Sequence, residues 1–549
     1  MMEKAFNLMV TESIRTNWNL NSLSDYKGDT LTYQDVAKGI EEIHILFKLI
    51  GVKRGDKVAL CGRNSSNWGV AFLATLTYGA VSVPILHDFK AENIHNIVNH
   101  SDAKLLFVGD NVWENLDEQS MPNVKVIVSI KDRSILVSRN KKLSSTKEQV
   151  IRLYKKKFPH GLTPEKIKYY QEKPEELAYI SYTSGTTSFS KGVMVPYRSL
   201  VSNLIFAREH ITLKKGDGHV CMLPMAHAFG LLFSFLFEFI EGCHTQFLTR
   251  TPSPKIIFQA YADVKPSLII TVPLIVEKVI KKNVLPKLEE QPMKTMLRIP
   301  ILRDRVLAKV RQKIIDLFGG NFMELVIGGA ALNEEVEEFM RRIKLPYTVG
   351  YGMTESGPLI GYTGWRTFRL GTCGIPVDRI EVRIDSEDPA QVTGEILVKG
   401  DNVMLGYYKN PKSTAEAIDK EGWLHTGDLG TMDAEGNITI RGRSKNMILG
   451  PSGQNIYPEE IEEKLNNLPY VEESIVVQKE GKIIALIHPN YQEAMERNLS
   501  NEEIEKIMKN NLKTLNTLAA KYEQISEFKI FPEEFEKTPK RSIKRYLYQ

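Results

Sequence analysis

Apolar strand-like runs and helical segments alternate through residues 56 to 110 of this 549-residue chain. Strand and helix in alternation predict a mostly parallel sheet with helices packed on it. The same rhythm returns at 267–272 and again at 324–329. We therefore predict an α/β fold, and we expect its ligands to bind beyond the carboxyl ends of the strands.

The texture of the sequence changes after about residue 371. Short strand-like runs with Asp, Asn and Gly turns, at 394–400 and 433–440, predict antiparallel hairpins. A further segment follows Arg443, and at roughly a hundred residues it is large enough to form a domain with its own hydrophobic core. We predict a large N-terminal domain, residues 1–442, with mixed and parallel sheets, helices and an antiparallel β subdomain. A small α+β C-terminal domain, residues 443–549, completes the prediction.

Composition is ordinary for a globular enzyme, with 42% hydrophobic and 25% charged residues. The formal charge of +5 is small against 72 basic and 67 acidic residues, so it favours neither nucleic acid nor an anionic membrane as a partner. The four cysteines lie far apart, and no apolar leader follows Met1. These features predict a cytoplasmic protein without a disulfide framework. Peripheral membrane contact stays open, as does the choice between monomer and homodimer.

Three segments have unusual local composition. The most apolar one, Phe229 to Ile240, contains Glu238 and is shorter than the roughly 20 residues that span a bilayer, so we predict a buried helix and no transmembrane segment. Residues 141–157 and 278–313 are rich in lysine and arginine. We interpret both as solvated helical faces.

A polar loop of hydroxyls, glycines and one lysine occupies residues 183–192, between two strand-like runs. Backbone N–H groups, hydroxyls and an ammonium are what a loop needs to hold polyphosphate. A solvated turn is the alternative interpretation. The loop is not an ordinary P-loop, because the lysine precedes its glycine and no hydroxyl residue follows.

This loop resembles the phosphate loop of the acyl-adenylate-forming (AMP-binding) superfamily, whose pattern runs approximately Y-T-S-G-T-T-G-x-P-K-G-V. Ser188 replaces a glycine of that pattern and Ser190 a proline. The resemblance implies ATP binding, with Lys191 on the β- and γ-phosphates. The other loop residues that it implies in ATP binding are Thr183, Ser184, Gly185, Thr186 and Thr187.

The segment Tyr351 to Glu355 matches the Y-G-M-T-E motif of the same superfamily without a departure. The resemblance implies that Tyr351 stacks on adenine, that Thr354 bonds the α-phosphate, and that Glu355 holds the Mg²⁺ that accompanies ATP. Gly352 would border both the nucleotide and the acid. The residues Gly328, Gly329 and Ala330 follow a predicted strand, where glycines let a flat ring approach the backbone.

Further elements of the pattern occur in the same order. The segment 223–230 resembles the L-P-x-x-H-x-x-G element, which implies that His227 and Phe229 border the acid pocket; a hydrogen-bonded core histidine is the alternative. By the same resemblance Asp428 and Arg443 contact the ribose hydroxyls. A turn-capping aspartate would not predict that second contact fifteen residues later.

The last hundred residues contain positions that, by the same resemblance, concern domain movement, CoA and catalysis. The resemblance implies that Lys445 is the hinge about which the small domain turns, and that Ser452 and Gly453 border the path of CoA. The superfamily ends with a catalytic lysine, but here Ser542 occupies that position. We expect Lys540 or Lys544, two positions either side, to take the role, with Lys540 preferred. A basic solvated tail is the alternative.

Together these motifs resemble those of bacterial long-chain fatty-acid CoA ligases. The resemblance implies activation of a medium- or long-chain fatty acid to acyl-AMP and pyrophosphate, then transfer to CoA, with ATP, Mg²⁺ and CoA required. An acyl-AMP ligase or a carrier-protein acylating enzyme of the same superfamily is one alternative. A catalytically weak nucleotide or acyl-AMP binding protein, suggested by Ser542, is another.

Overall fold

An eight-stranded sheet forms the centre of the protein. The computed structural model describes residues 5–139, 146–183, 191–249, 253–449, 454–479, 482–519, 523–537 and 543–548. In spatial order the eight strands are Gly406–Tyr407, Lys191–Pro196, Leu177–Thr183, Val81–Ile85, Lys57–Cys61, Leu105–Val108, Val126–Ser129 and Ile135–Ser138. The five strands from 177–183 to 126–129 pair in parallel, and both ends of the sheet are antiparallel. The predicted α/β fold is confirmed.

Three more sheets belong to this part of the chain. The first has three parallel strands, Leu268–Thr271, Glu324–Ile327 and Tyr347–Val349, and the chain leaves it into the second, an antiparallel set of Tyr351–Gly352, Leu359–Tyr362 and Ile375–Pro376. The third has the order Gly218–Cys221, His244–Phe247, Asn21–Asp25 and Thr30–Thr32.

Helices pack on these sheets through two apolar clusters, a large one and a smaller one that includes Ile94, Ile97 and Val98. Their starts follow local chemistry: Thr32 and Asp35 form a capping box at Tyr33–Ile50, which ends at the left-handed Gly51. The α-helices of this part of the chain are Phe6–Thr16, Tyr33–Ile50, Ser66–Tyr78, Ala91–His100, Asp110–Trp113, Thr146–Lys157, Tyr197–His210, Ala228–Leu231, Phe237–Ile240, Pro254–Val264, Pro273–Glu277, Leu285–Glu289, Met293–Arg298, Pro300–Leu317, Glu334–Arg342 and Pro411–Ala417.

The most apolar segment is the buried helix that its composition predicts. A π-helical turn, Leu232–Leu236, joins Ala228–Leu231 to Phe237–Ile240, and the whole run is buried apart from the half-buried Phe229. Glu238 lies 3.2 Å from His219 and accepts a hydrogen bond of 2.9 Å from Thr245. These partners offset the cost of burying its carboxylate. Within the described ranges, no helix is both long enough and apolar enough to cross a bilayer.

An antiparallel sheet of four strands follows, as predicted for the region after residue 371: Ile380–Asp385, Gly394–Gly400, Leu424–Met432 and Ile438–Arg443. Its last hairpin turns at Asp433, whose carboxylate accepts hydrogen bonds from the backbone and side chain of Asn437. In register, Asp428 stands opposite Arg443. This pairing fixes the two residues side by side before any side-chain contact is considered.

The last hundred residues have apolar clusters separate from the large core. They contain the strand pair Ile448–Leu449 and Asn455–Ile456, the sheet Val471–Lys479, Lys482–Pro489 and Glu527–Ile530, and the helices Pro458–Asn466, Tyr491–Glu496 and Asn501–Leu518. Polar contacts join this unit to the rest: Asn467 bonds Asn333 at 2.5 Å, and Glu463 accepts the Glu334 N–H at 2.7 Å. The boundary after residue 442 stays a prediction.

A buried histidine lies between the two helices that cover one face of the central sheet. His44, on Tyr33–Ile50, lies 3.0 Å from the Ala74 carbonyl and 3.1 Å from the Thr77 hydroxyl on Ser66–Tyr78. Tyr78 and Tyr169 enclose its ring. Burial lowers the pKa of His44 to about 3, so the folded protein keeps this imidazole neutral.

We expect this histidine to make the N-terminal part acid-sensitive. Between pH 6.5 and 3, His44 is protonated in the unfolded chain but stays neutral in the folded protein. The stability of the folded state that is present above pH 6.5 is therefore lost as pH falls. At pH 5 the loss is about 2 kcal/mol relative to pH 7.5. His44→Gln keeps an amide to reach the Ala74 carbonyl and should lose about 2 kcal/mol less over that interval, measured by urea unfolding. Equal losses in both proteins would contradict the assignment.

Candidate active site

The candidate site lies at the carboxyl edge of the three-stranded parallel sheet. Ile327 and Val349 are register partners, and the Gly350 N–H donates to the Ile327 carbonyl at 2.9 Å, so the segments that follow both strands run together. Gly328 is buried, whereas Gly329 and Ala330 are exposed. Gly329 has a φ of +89°, a left-handed conformation that favours glycine. This leaves a bare backbone surface beside Tyr351.

Tyr351, Asp428 and Arg443 form one cluster, joined by a hydrogen bond and an ion pair. The Tyr351 hydroxyl donates to Asp428 Oδ2 at 2.7 Å, and Arg443 Nε lies 2.9 Å from Oδ1. Tyr351 and Asp428 are buried, while the arginine side chain is 58% exposed. The structure thus brings together three residues that the sequence places in separate motifs.

The protonation states of this cluster follow from its burial. Loss of water raises the pKa of Asp428, and Arg443 and the Tyr351 hydroxyl oppose that rise. Burial and the neighbouring carboxylate raise the pKa of Tyr351 well above its usual value. The phenol therefore stays protonated and donates, while each carboxylate oxygen keeps a lone pair for another donor.

A second cluster joins the end of the polar loop to the acidic motif. Lys191 stands opposite Thr183 in the strand pair and places its Nζ 4.6 Å from the centre of the Tyr407 ring. The Tyr407 hydroxyl donates to Glu355 Oε1 at 3.0 Å. Thr354 is buried beside Glu355. A cation and a carboxylate from distant motifs thus share one aromatic side chain.

Residues 404–408 hold these parts in register. The Met404 N–H donates to the Glu355 carbonyl at 2.9 Å, and Leu405 and Tyr408 donate to Met194 and Gly192 of the loop-bearing strand. Gly352 faces solvent, yet a Cβ there would collide with the Pro358 carbonyl. Glycine is therefore required at this position by close backbone approach.

An apolar cavity of about 60 Å³ begins beside Tyr351. Its inner end is marked by Tyr362, whose hydroxyl donates to Glu324 at 2.7 Å, one strand length from Gly328. The lining residues are Phe206, Ala207, Ile211, Phe229, Phe233, Ile270, Val326, Gly328, Gly329, Gly350, Tyr351, Gly352, Pro358, Leu359 and Tyr362. The polar cluster and the cavity therefore have Tyr351 in common.

Other predicted site residues lie in different surroundings. His227 directly precedes the helix Ala228–Leu231 and is half-buried; among the described residues the cavity lining includes Phe229 but not His227. Lys445 is exposed in the turn after Arg443. Lys544 donates to Glu536 at 2.9 Å within the last hundred residues. The predicted residues Ser184, Gly185, Thr186, Thr187, Ser452, Gly453, Lys540 and Ser542 lie outside the described residues.

Sequence reasoning missed Tyr407 and the inner wall of the cavity. Tyr407 lies in a two-residue edge strand, Gly406–Tyr407, and the apolar run 403–408 was a signal for that strand. Phe206, Ile211 and Tyr362 had no comparable signal, because each resembles an ordinary core residue in the sequence.

The carboxylate of Glu355 fits a magnesium ion. Mg²⁺ usually takes one or two carboxylates and completes its shell with phosphate oxygens and water. Glu355 is only partly buried, and the Tyr407 hydroxyl donates to its Oε1. A carboxylate whose tyrosine partner also contacts the Lys191 ammonium is a ligand of this kind.

The chain belongs to the AMP-binding enzyme family. The family model described as AMP-binding enzyme matches residues 12–408, and that of the AMP-binding enzyme C-terminal domain matches residues 445–548. Membership of the acyl-adenylate-forming superfamily, predicted from the motifs, is confirmed.

Its relatives differ in their substrates. The long-chain-fatty-acid–CoA ligase of Escherichia coli is 29% identical over 459 residues, covering 78% of this chain and 74% of the relative. The probable acyl-activating enzyme 16 of Arabidopsis thaliana is 26% identical over 539 residues, covering 85% and 73%. Two solved structures share the fold. ATP-bound MatB from Rhodopseudomonas palustris has 19% sequence identity and a TM-score of 0.78, and the match covers 100% of this chain and 98% of MatB. The Bacillus subtilis o-succinylbenzoate CoA synthetase has 19% identity and a TM-score of 0.74, with 98% of this chain and 97% of the synthetase covered.

Proposed function

We propose that this protein activates an apolar carboxylic acid with ATP and passes the acyl group to CoA. A carboxylate is a poor electrophile, so it first attacks the α-phosphate of ATP, giving acyl-AMP and pyrophosphate. The CoA thiol then displaces AMP. Such a reaction needs anions positioned and their charge neutralised, with no covalent protein nucleophile.

One observation carries the proposal: Tyr351 belongs both to the polar cluster with Asp428 and Arg443 and to the wall of the apolar cavity. A nucleotide held at the cluster would have its α-phosphate close to the cavity mouth. An acid whose apolar part fills the cavity would then present its carboxylate to that phosphate. This shared wall supports adenylation better than it supports nucleotide binding alone.

The roles we propose follow the chemistry of each side chain. Tyr351 stacks on adenine against the backbone of 328–330, and Asp428 and Arg443 bond the ribose hydroxyls. Thr354 bonds the α-phosphate, while Thr183 and Lys191 border the β- and γ-phosphates. Glu355 would hold the Mg²⁺ of MgATP, which supplies charge neutralisation when bound.

We expect pyrophosphate release that depends on an added acid, with AMP and acyl-CoA formed when CoA is present. Asp428→Asn should weaken AMP binding about 10- to 100-fold, because the neutral amide cannot replace a carboxylate that accepts from Tyr351, pairs with Arg443 and accepts from the ribose hydroxyls. Pyrophosphate release with a panel of acids, with and without CoA, and calorimetric AMP titrations measure both effects.

The matched control is Asp433→Asn, which changes an aspartate in the same hairpin that bonds Asn437 and Arg369 away from Tyr351. Equal AMP affinity in the two variants would remove Asp428 from the site. Acid-dependent pyrophosphate release without CoA consumption would instead favour an acyl-AMP ligase or a carrier-protein acylating enzyme. AMP binding without pyrophosphate release for any acid would favour a nucleotide-binding protein.

We propose that Lys540 supplies the cation that Ser542 cannot. Lys544 is the second candidate, although its ammonium already pairs with Glu536. Lys540→Ala should slow acid-dependent pyrophosphate release about 100-fold, since one charge-assisted contact to the developing negative charge is lost. The reaction of supplied acyl-AMP with CoA should keep its rate.

Lys529→Ala, an exposed lysine on the strand Glu527–Ile530, is the control for general loss of positive charge. If Lys544→Ala slows adenylation and Lys540→Ala does not, the assignment moves to Lys544. If neither variant slows it, both assignments fail.

The acid that we propose is a medium- or long-chain fatty acid, supported by the apolar lining. The cavity of about 60 Å³ is small, however: an engineered apolar cavity of roughly 150 Å³ is known to bind benzene, a molecule much smaller than a fatty acid. A long chain therefore requires side chains at the inner end to move. Phe206 packs there against Tyr362, with ring centres 5.8 Å apart.

Phe206→Ala should enlarge this end and raise the kcat/KM ratio of hexadecanoate over octanoate at least about fivefold, since each added buried methylene is worth about 0.8 kcal/mol. Pyrophosphate release with the two acids measures the ratio. Phe247→Ala truncates a fully buried phenylalanine that does not line the cavity and controls for general destabilisation. An unchanged ratio in Phe206→Ala would show that the chain does not reach this end.

A further inference from the structure

The positive charge of this protein is concentrated in one segment. Residues 278–313 contain eleven lysines and arginines against three acidic residues, a formal charge of +8, whereas the whole chain has +5. The remainder of the chain is therefore net acidic, at −3. The segment includes the helix Met293–Arg298 and the first part of Pro300–Leu317, which Ile299 joins.

Apolar side chains project where these two helices meet. Met296, Ile299 and Ile301, which we call the hairpin tip, are 36%, 47% and 71% exposed. Single exposed apolar residues are common on proteins, but three within six positions form a patch. None of the three residues belongs to an apolar core cluster of the described residues, so the composition of the patch needs another explanation.

The base of the hairpin is firmly held. Val306, Leu307 and Ile314 of the longer helix are buried in the large core, and Phe318 packs edge-on against Phe258 at 5.6 Å. The exposed tip is therefore the end of an anchored element, and substitutions there should leave the fold intact.

Cations surround the hairpin tip. Arg298, Arg303 and Arg305 are exposed beside it. Two of the three acids of the segment pair with their own neighbours, Glu289 with Lys294 at 2.7 Å and Asp304 with Arg303 at 3.2 Å. Within the part of the chain that the structure describes, no carboxylate forms an ion pair with Arg298 or Arg305.

We propose that the hairpin tip docks on the surface of an anionic lipid bilayer. Met296, Ile299 and Ile301 enter the boundary between headgroups and acyl chains, and the surrounding arginines contact lipid phosphates. The apolar residues at the tip match the acyl-chain boundary of a bilayer, and the cations around them match its anionic headgroups. A projecting tip also fits a deformable surface better than a preformed groove. This inference does not rest on the proposed enzymatic function.

Vesicle sedimentation with the full chain tests the proposal. Vesicles with about 30% phosphatidylserine in phosphatidylcholine should bind the protein in about 0.1 M salt, and binding should fall at about 0.5 M salt. The double variant Ile299→Ser, Ile301→Ser should reduce the bound fraction at least about fivefold. The double variant Arg298→Gln, Arg305→Gln should weaken binding to anionic vesicles and reduce its salt dependence.

Met495→Ser is the matched control, because Met495 is also 71% exposed but lies on the helix Tyr491–Glu496, far along the chain. It should bind vesicles as the unmodified protein does, and all variants should keep their thermal midpoints. Absence of binding to anionic vesicles, or equal binding by the serine double variant, would overturn the proposal. A dimer in sedimentation velocity that the serine double variant abolishes, without vesicle binding, would assign the tip to a second copy of this chain.

Discussion

A buried carboxylate, that of Asp428, connects the otherwise separate parts of the candidate site. Burying an ionised group without partners is costly, so Asp428 requires both the Tyr351 hydroxyl and Arg443. Tyr351 comes from the short antiparallel set that follows the parallel sheet, and the other two come from the four-stranded antiparallel sheet. The same three side chains therefore join two separate sheets, and they also form the polar wall of the site.

Tyr407 is the centre of a second cluster of this kind. Its ring receives the Lys191 ammonium on one face, and its hydroxyl bonds Glu355. Each of the two clusters thus combines a tyrosine, a cation and a carboxylate: Asp428 contacts both of its partners in one, and Tyr407 contacts both of its partners in the other. A phenol has an apolar ring and a polar hydroxyl. The ring can therefore pack against apolar side chains while the hydroxyl bonds a charged group. The two clusters frame the nucleotide position that we propose, one at the ribose and one at the terminal phosphates.

The sequence was informative where local pattern decides structure. The alternation predicted within residues 56 to 110 contains three parallel strands, Lys57–Cys61, Val81–Ile85 and Leu105–Val108, and the predicted link between Asp428 and Arg443 corresponds to an in-register pair. It was uninformative where tertiary packing decides. Nothing local distinguishes Phe206, which lines the cavity, from Phe247, which does not. Overall charge averages over the chain for a related reason: a total of +5 includes the lysine- and arginine-rich segment 278–313 at +8 and a remainder at −3.

The contacts between the last hundred residues and the rest bear on the predicted hinge at Lys445. Asn467 bonds Asn333 and Lys281, and Glu463 accepts from the backbone at the start of Glu334–Arg342. Burial raises the pKa of Glu463, and the neighbouring Glu334 adds to the rise. Water can replace amide and carboxylate partners of this kind at small net cost, whereas separating one apolar core would cost far more. Since the apolar clusters on the two sides are separate, rotation about an exposed residue at 445 would exchange polar contacts and leave each core intact.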